Sequence, residues 1–440
     1  MPMPRILVVP GGTSIGAVSL ANASLHKLVE LYDERRADPH APSVRTIVVL
    51  RDPSDVPPST LRSSAHTLEA AFPADRYPAV AERLHDEGFL DGIDLVVPTS
   101  GSSAGRPRLV GLSTDALVAS AKATHEALGG PGRWILALPA HHIAGAMVLV
   151  RSAVAGTNPQ IVDTTEGFDP HALLPAIAGA TADPSIPGYL SLVPTQLQAC
   201  LSAGEEVTTA LARLHTVLVG GSGIRAELIE CARANGIRIV ATYGMTETCG
   251  GCVYDGVPQA GVEVRVVDRE GQSRIAIAGA PLMTRYLDGD SPFFEESGRT
   301  WLLTGDVGRI NGGGIVSVHG RADDVIVTGG LSVAPVPVQD ALLSSPELTD
   351  AWVTSTPDEK WGHVITALIV PHRLPANHSE MEELSKRLRT HVGETIGRAH
   401  APRRFVALEH LPYLSGMKID RIAARRIADR AIHTMHDWWR

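Results

Sequence analysis

The chain has 440 residues, 44% hydrophobic and 20% charged, an ordinary globular composition long enough for two or three domains with sizeable cores. Only 4% of residues are aromatic, so those cores must be built from Ala, Val, Leu and Ile. The net charge of -9 argues against a nucleic-acid surface, and no apolar run is long enough for a membrane span. The N-terminal stretch MPMPRILVV is too short and too weakly cationic for a signal peptide, so the cytoplasm is the expected compartment. Cys200, Cys231, Cys249 and Cys252 are too few and too unevenly placed for a disulfide framework, and the C-x-x-C at Cys249 and Cys252 has no second pair at metal spacing.

In chain order, residues 5–9 (RILVV) read as a strand followed by a turn, GGTSIG, that lacks the spacing of a dinucleotide loop. Leu25 to Leu31 reads as helical, DPHAP (38–42) as a loop and Val44 to Leu50 as a buried strand. A turn region around Pro53, Pro57 and Pro58 precedes a helical stretch at Ala79 to His85. From Val96 onward strands alternate with helices, the pattern of an α/β chain with mostly parallel sheets. Strands are expected at Trp134 to Leu138, Gln160 to Asp163, Tyr189 to Val193, Thr216 to Val219 and Ile237 to Thr242. Helices are expected at Thr114 to Leu128, Gly145 to Ala155, Pro170 to Ala180, Pro194 to Ala203 and Arg225 to Asn235. After Gly251 short β pieces with frequent Gly (VEVRVVD, SRIAIAG, TWLLTGD, GIVSVHG) predict an antiparallel module before a last domain.

Six stretches carry candidate chemistry. Val96 to Gly111, VVPTSGSSAGRPRLVG, follows an apolar run with small residues, hydroxyls and two guanidiniums. That composition suits a polyphosphate, although the Walker spacing is absent and a Ser/Gly linker has similar content. VLVGGSG (217–223) would let a flat base approach the backbone. YGMTE (243–247) sets a hydroxyl beside a carboxylate, which can touch a phosphoryl oxygen and hold a divalent cation; a solvated polar loop has the same letters. TGDVG (304–308) places an acid in a turn, suited to a diol. GRADDVIVTGG (320–330) offers Arg321 and a paired acid at a composition boundary, and LSGMKIDR (414–421) one lysine in a Gly-bearing loop.

In this order and at about these spacings, TSGSSAGRPR, YGMTE, TGDVG, GRADD and GMKIDR resemble the motif series of the adenylate-forming superfamily of acyl-CoA synthetases, peptide-synthetase adenylation domains and luciferases, over roughly residues 95 to 425. The stretches LALPAHHIAG (136–145), LVRSAVAGT (149–157) and YGMTETCGGCVYDG (243–256) look most like the o-succinylbenzoate-CoA ligases of menaquinone biosynthesis, the actinobacterial type above all. The resemblance implies an α/β fold: a large N-terminal domain (1–321) of mostly parallel sheets with helices plus a small β module, and a small mobile α+β C-terminal domain (322–440) with its hinge near Asp323. It implies the substrates ATP, CoA and 2-succinylbenzoate together with Mg²⁺, no nucleic acid, no membrane span, and leaves room for a homodimer.

The resemblance also assigns residues. Thr99, Ser100, Gly101, Ser102, Ser103 and Gly105 would contact the ATP phosphates with Arg108, which stands where the family usually has Lys and trades a point charge for a fork. Gly220, Gly221 and Ser222, with Tyr243 and Gly244, would line the adenine and acyl pocket. Thr246 would touch the α-phosphate, Glu247 the Mg²⁺, and Asp306 the ribose, helped by Arg321. Lys418 matches the catalytic lysine, with Met417 inserted between it and the usual glycine. Arg151, in the apolar helix AMVLVRSAV, would be costly unless it met a carboxylate. It is therefore expected to bind the second carboxylate of the substrate, the alternative being an internal salt bridge. His141 or His142 would pack on the substrate ring or gate the thiol. Another aryl- or short-chain acyl-CoA ligase is the nearest alternative; a non-catalytic nucleotide-binding relative and a peptide-synthetase adenylation domain are weaker ones, the latter because no carrier-protein domain follows before HDWWR.

Overall fold

The structure, a computed structural model, describes residues 4–38, 45–56, 67–99, 107–413 and 419–434. The chain divides into two compact units, one of residues 1–264 and 277–303, the other of residues 265–276 and 304–440.

Two sheets organise the first unit. In one, strands Arg5–Pro10, Thr46–Arg51 and Leu95–Pro98 run parallel, Leu109–Leu112 returns antiparallel, and Arg285–Tyr286 adds to it. The N-terminal residues thus supply strands to a sheet of the large unit. The other sheet has the order Val257–Pro258, Gly250–Tyr254, Ile239–Met245, Thr216–Gly220, Gly188–Leu192, Arg133–Leu136, Gln160–Ile161. Its strands from Ile239–Met245 onward are parallel, and Gly250–Tyr254 folds back as an antiparallel hairpin.

Why the strands read as unbroken apolar runs follows from the layering. Successive side chains of a strand point to opposite faces, so a strand covered on both sides must be apolar at every position. In Thr46–Arg51, Ile47 and Val49 pack with Phe72, Val80 and Phe89. Val48 and Leu50 instead face a core shared by both sheets and helices Ile15–Ala37, Thr114–Ala127 and Ile143–Val154. Helices Leu173–Ala180, Pro194–Ser202, Glu205–Ala212 and Ala226–Ala234 cover the far face of the second sheet. Ser113 caps helix Thr114–Ala127 by accepting from Ala116 N at 3.1 Å, as the Ser-x-Asp start predicts.

Four differences from the sequence expectation have local causes. The helix expected at Ala79 to His85 stops at Ala81, because Arg83 N and Asp86 N bond to carbonyls three residues back, at Val80 and Arg83, and the chain tightens into turns. The helix read over Leu25 to Leu31 runs from Ile15 to Ala37. Glu205–Ala212 was not foreseen as a helix. Leu109–Leu112, read as loop, is a strand paired antiparallel with Leu95–Pro98. Residues 39–42 of the DPHAP loop, together with Pro57 and Pro58, lie outside the described residues.

In the second unit, Arg274 Nε donates to Thr304 O at 3.0 Å and Thr304 Oγ1 to Ile275 O at 2.8 Å. These bonds group 265–276 with the chain from 304 onward, so part of the antiparallel module counted with residues 1–321 falls here. The remainder is the α+β arrangement expected. Strands Leu348–Asp358 and Gly362–Pro371 form a hairpin extended in parallel by Arg404–Ala407. Helices Pro335–Leu343 and His378–Ile396 pack on one face through Val338, Leu384 and Leu388, and Arg421–Thr434 packs on the other through Ala424 and Ala428. Among the described residues no helix is long and apolar enough to cross a membrane.

Phe405 is fully buried in this sheet. Phe405→Ala is expected to cost about 3–5 kcal/mol through lost burial and a residual cavity, measured as a lower denaturant midpoint for the signal of Trp352, which lies in the same sheet.

Candidate functional site

The hairpin Ile239–Met245 to Gly250–Tyr254 holds four of the sequence-predicted positions: Tyr243, Gly244, Thr246 and Glu247. Its two strands come so close that a methyl at Gly244 would overlap Gly250 O, and one at Gly220, on the neighbouring strand, would overlap Thr242. Glycine is required here for backbone approach. Between the strands, residues Thr246–Thr248 make one 3₁₀ turn ended by Cys249 at φ 50°. Thr248 Oγ1 accepts from Met245 N at 2.9 Å and donates to Gly250 O at 2.7 Å. The Glu247 carbonyl accepts from Met283 N at 2.8 Å. Thr246 is buried and Glu247 half-buried. Gly221, at φ 87°, and Ser222 are exposed beyond the end of Thr216–Gly220.

Around Glu247 a second set converges. The Tyr286 hydroxyl donates to Glu247 Oε1, and the Arg108 guanidinium carbon lies 3.4 Å from the Tyr286 ring centroid. Arg108 Nε is 3.5 Å from Asp288 Oδ1 and Nη2 donates to Asp290 O at 3.2 Å. Thr99 meets Arg108 through the backbone: Arg108 N donates to Thr99 Oγ1 at 2.9 Å and Thr99 N to Arg108 O at 2.8 Å. Ser100, Gly101, Ser102, Ser103 and Gly105 lie outside the described residues, as do Met417 and Lys418. Tyr286 and Asp288 were not singled out in the sequence; the only signal was the Gly/Asp-rich turn RYLDGD beside an apolar run.

Behind the hairpin lies Arg151. It is 4% exposed on the otherwise apolar helix Ile143–Val154. Its guanidinium carbon stands 5.0 Å from the Trp134 ring centroid, and a methyl at Gly250 would come 3.8 Å from Nη2. Among the described residues no carboxylate pairs with it and its Nε has no hydrogen-bond partner. Burial lowers its pKa, with the Tyr254 phenol opposing in part. Among the described residues, no acidic side chain makes the internal salt bridge that would leave Arg151 purely structural.

His141 and His142 open the same helix, with ring centroids 4.3 Å apart. His141 is buried: Gly12 N donates to its Nδ1 at 2.9 Å, and its Nε2 is 3.4 Å from Asp52 Oδ2. A methyl at Gly11 would overlap it. The GGTSIG turn therefore seats a histidine, a role that strand-and-loop patterning alone could not reveal. His142 is half-buried at the N-cap. Cys249 and Cys252 are both buried; burial raises both thiols, Cys252 to about 12, so they stay protonated.

Asp306 and Arg321 belong to the second unit. They face each other across paired strands, with Arg321 Nη1 3.6 Å from Asp306 Oδ1, and Asp306 is 8% exposed. Asp323 is exposed on the turn Ala322–Asp324. Its neighbour Asp324 pairs with Arg421 and, at 3.3 Å, with Arg425 at the start of the last helix.

Burial, with the positive Arg151 nearby, pushes His125 down to about 4 from an ordinary 6.5. A folded value below the unfolded one means the neutral ring is favoured. Stability is then fully present above pH 6.5 and falls as pH drops from 6.5 toward 4. His125→Gln is expected to flatten that slope, read from denaturant midpoints at about pH 5 and about pH 7.5.

The chain matches the family model "AMP-binding enzyme" over residues 18–287 and "AMP-binding enzyme C-terminal domain" over residues 338–414. It is 42% identical over 346 residues to the probable 2-succinylbenzoate–CoA ligase of Mycobacterium tuberculosis, covering 78% of this chain and 86% of that one. To the 2-succinylbenzoate–CoA ligase of Staphylococcus aureus it is 29% identical, over 76% of this chain and 66% of that one. The o-succinylbenzoate CoA synthetase of Bacillus subtilis, solved with the acyl-adenylate OSB-AMP, shares the fold with a TM-score of 0.67 at 21% identity over 95% of each chain. The chain is a member of the AMP-binding enzyme family, with the α/β fold of its large part and the α+β fold of its C-terminal domain.

Proposed function

We propose that this enzyme is an acid–thiol ligase that uses ATP to join 2-succinylbenzoate to CoA, giving 2-succinylbenzoyl-CoA, AMP and pyrophosphate, in the cytoplasm and in the service of menaquinone biosynthesis. Family membership and the mycobacterial relative support the reaction. The observation that carries the substrate is Arg151, a buried guanidinium with no carboxylate of its own among the described residues. 2-Succinylbenzoate has two carboxylates. One is activated; the other supplies the counter-charge that the helix Ile143–Val154 lacks.

The chemistry follows from leaving groups. A carboxylate cannot expel oxide, so its oxygen attacks the α-phosphorus of ATP, the bond to pyrophosphate breaks and an acyl-adenylate forms. The CoA thiolate then attacks the acyl carbon, the carbon–oxygen bond breaks and AMP leaves. Negative charge builds at phosphorus in the first step, and its stabilisers are cations and fixed donors. The half-buried Glu247 carboxylate, with ATP phosphate oxygens, is an adequate donor set for Mg²⁺, which supplies charge compensation when bound. Thr246 would touch the α-phosphate, and Asp306 with Arg321 would hold the ribose diol. Lys418 would offset charge at the attacking carboxylate. Withdrawing Lys418 before thiol attack is the use of a hinge at Asp323.

Arg151→Ala is expected to raise the KM for 2-succinylbenzoate at least about tenfold while changing that for ATP little, because only one partner of a charge pair is lost; equal effects on both would overturn the assignment. The wild-type enzyme should release pyrophosphate with 2-succinylbenzoate in preference to benzoate and to short fatty acids. For Lys418→Ala, acyl-adenylate formation should fall on the order of 10² or more while thioester formation from supplied adenylate persists. Loss of both steps would point to a folding defect.

A further inference from the structure

Arg108 carries the charge a phosphate would need, yet in the structure its guanidinium is held by neighbouring groups of the protein. One face lies on the Tyr286 ring at 3.4 Å, Nε faces Asp288 Oδ1 at 3.5 Å, and Nη2 donates to Asp290 O at 3.2 Å. The ring it covers is also fixed from its backbone. Tyr286 pairs with Val110 across the strands, and its N donates to Ser291 Oγ at 2.9 Å. Tyr286 is 8% exposed, and its hydroxyl donates to Glu247 Oε1. The main chain of Glu247 is tied to the same segment through Met283 N.

We propose that Tyr286 is a positioning residue for the metal-holding carboxylate of Glu247, and that Arg108 acts on metal binding through the Tyr286 ring rather than through a phosphate. The proposal rests on the assignment of Glu247 as the Mg²⁺ carboxylate and deepens it. A phenol that donates to Oε1 stops the carboxylate rotating and leaves Oε2 for the cation. Hydrogen-bond partners behind a metal ligand orient it and raise metal affinity. The guanidinium on the ring face draws on the ring's negative quadrupole, which makes the O–H more polar and the bond to carboxylate stronger. This also gives a physical reason for arginine at 108. A flat fork can stack on an aromatic face and meet a carboxylate and a carbonyl at its edge, whereas the point ammonium of lysine cannot do all three.

The test is a Mn²⁺ titration followed by electron spin resonance, on the full chain with an ATP analogue whose α–β bridge cannot be cleaved. Tyr286→Phe and Arg108→Gln should each weaken Mn²⁺ binding about tenfold. The double variant should also weaken it about tenfold rather than about a hundredfold, since both act through one chain of contacts. Binding of the analogue without metal should be unchanged in all three. Thermal midpoints near wild type establish that each variant is folded. If Arg108→Gln weakens metal-free nucleotide binding and leaves Mn²⁺ affinity alone, Arg108 is a phosphate ligand and the proposal falls. Multiplying losses in the double variant, or unchanged or tighter Mn²⁺ binding in Tyr286→Phe, would also overturn it. Glu247→Gln separates the two levels: if it leaves Mn²⁺ affinity intact, the metal assignment of Glu247 fails.

Discussion

A charge inside an apolar layer is tolerated only where an anion meets it, and Arg151 puts such a charge between the two sheets of the large unit. Trp134 lies against its guanidinium and Gly250 leaves room beside it. Removing water from a guanidinium costs several kcal/mol, and a ring face returns only about 0.5–2 kcal/mol of that. The remainder is a standing demand for a carboxylate. Much of the neighbourhood can be understood as keeping that demand open: the helix offers no acid, His125 is held neutral beside the cation, and the hairpin residue next to it, Gly250, brings no side chain.

The same hairpin carries Thr246 and Glu247, and its Gly250 lies beside Arg151 of the helix Ile143–Val154. Its shape depends on backbone approach at Gly220 and Gly244 and on the left-handed turn at Cys249. Neither the hydroxyl nor the carboxylate of the YGMTE motif is therefore free to wander as an ordinary loop residue would. Tyr286 and Arg108 add a second constraint from the neighbouring sheet, linking the edge of the first sheet to the Glu247 carboxylate of the second.

Motif chemistry was legible in the sequence because it is local. A hydroxyl next to a carboxylate, a glycine-rich turn after an apolar run and an acid in a tight turn can each be read within a few residues. So could most strands of the large unit, since a strand buried on both faces is apolar at every position, as in TIVVLR. Elements that owe their form to a partner were harder to see. Leu109–Leu112 is a strand because Leu95–Pro98 lies beside it. The GGTSIG turn matters because His141 is seated on it. Tyr286 gained a role only when an edge strand brought it to Glu247 and Arg108.

By itself the sequence determined the alternation of strands and helices, the order of the ligand-binding loops, the antiparallel module and the oddity of arginine at 108, all of which follow from residue type and spacing. Tertiary structure decided which charges are paired. Arg108 is held by Asp288 and Tyr286, Asp306 faces Arg321, and Arg151 has no carboxylate among the described residues. The physical reason is that Coulomb and desolvation energies depend on separation through space and on burial, which residues far apart along the chain acquire only when the sheets and helices pack.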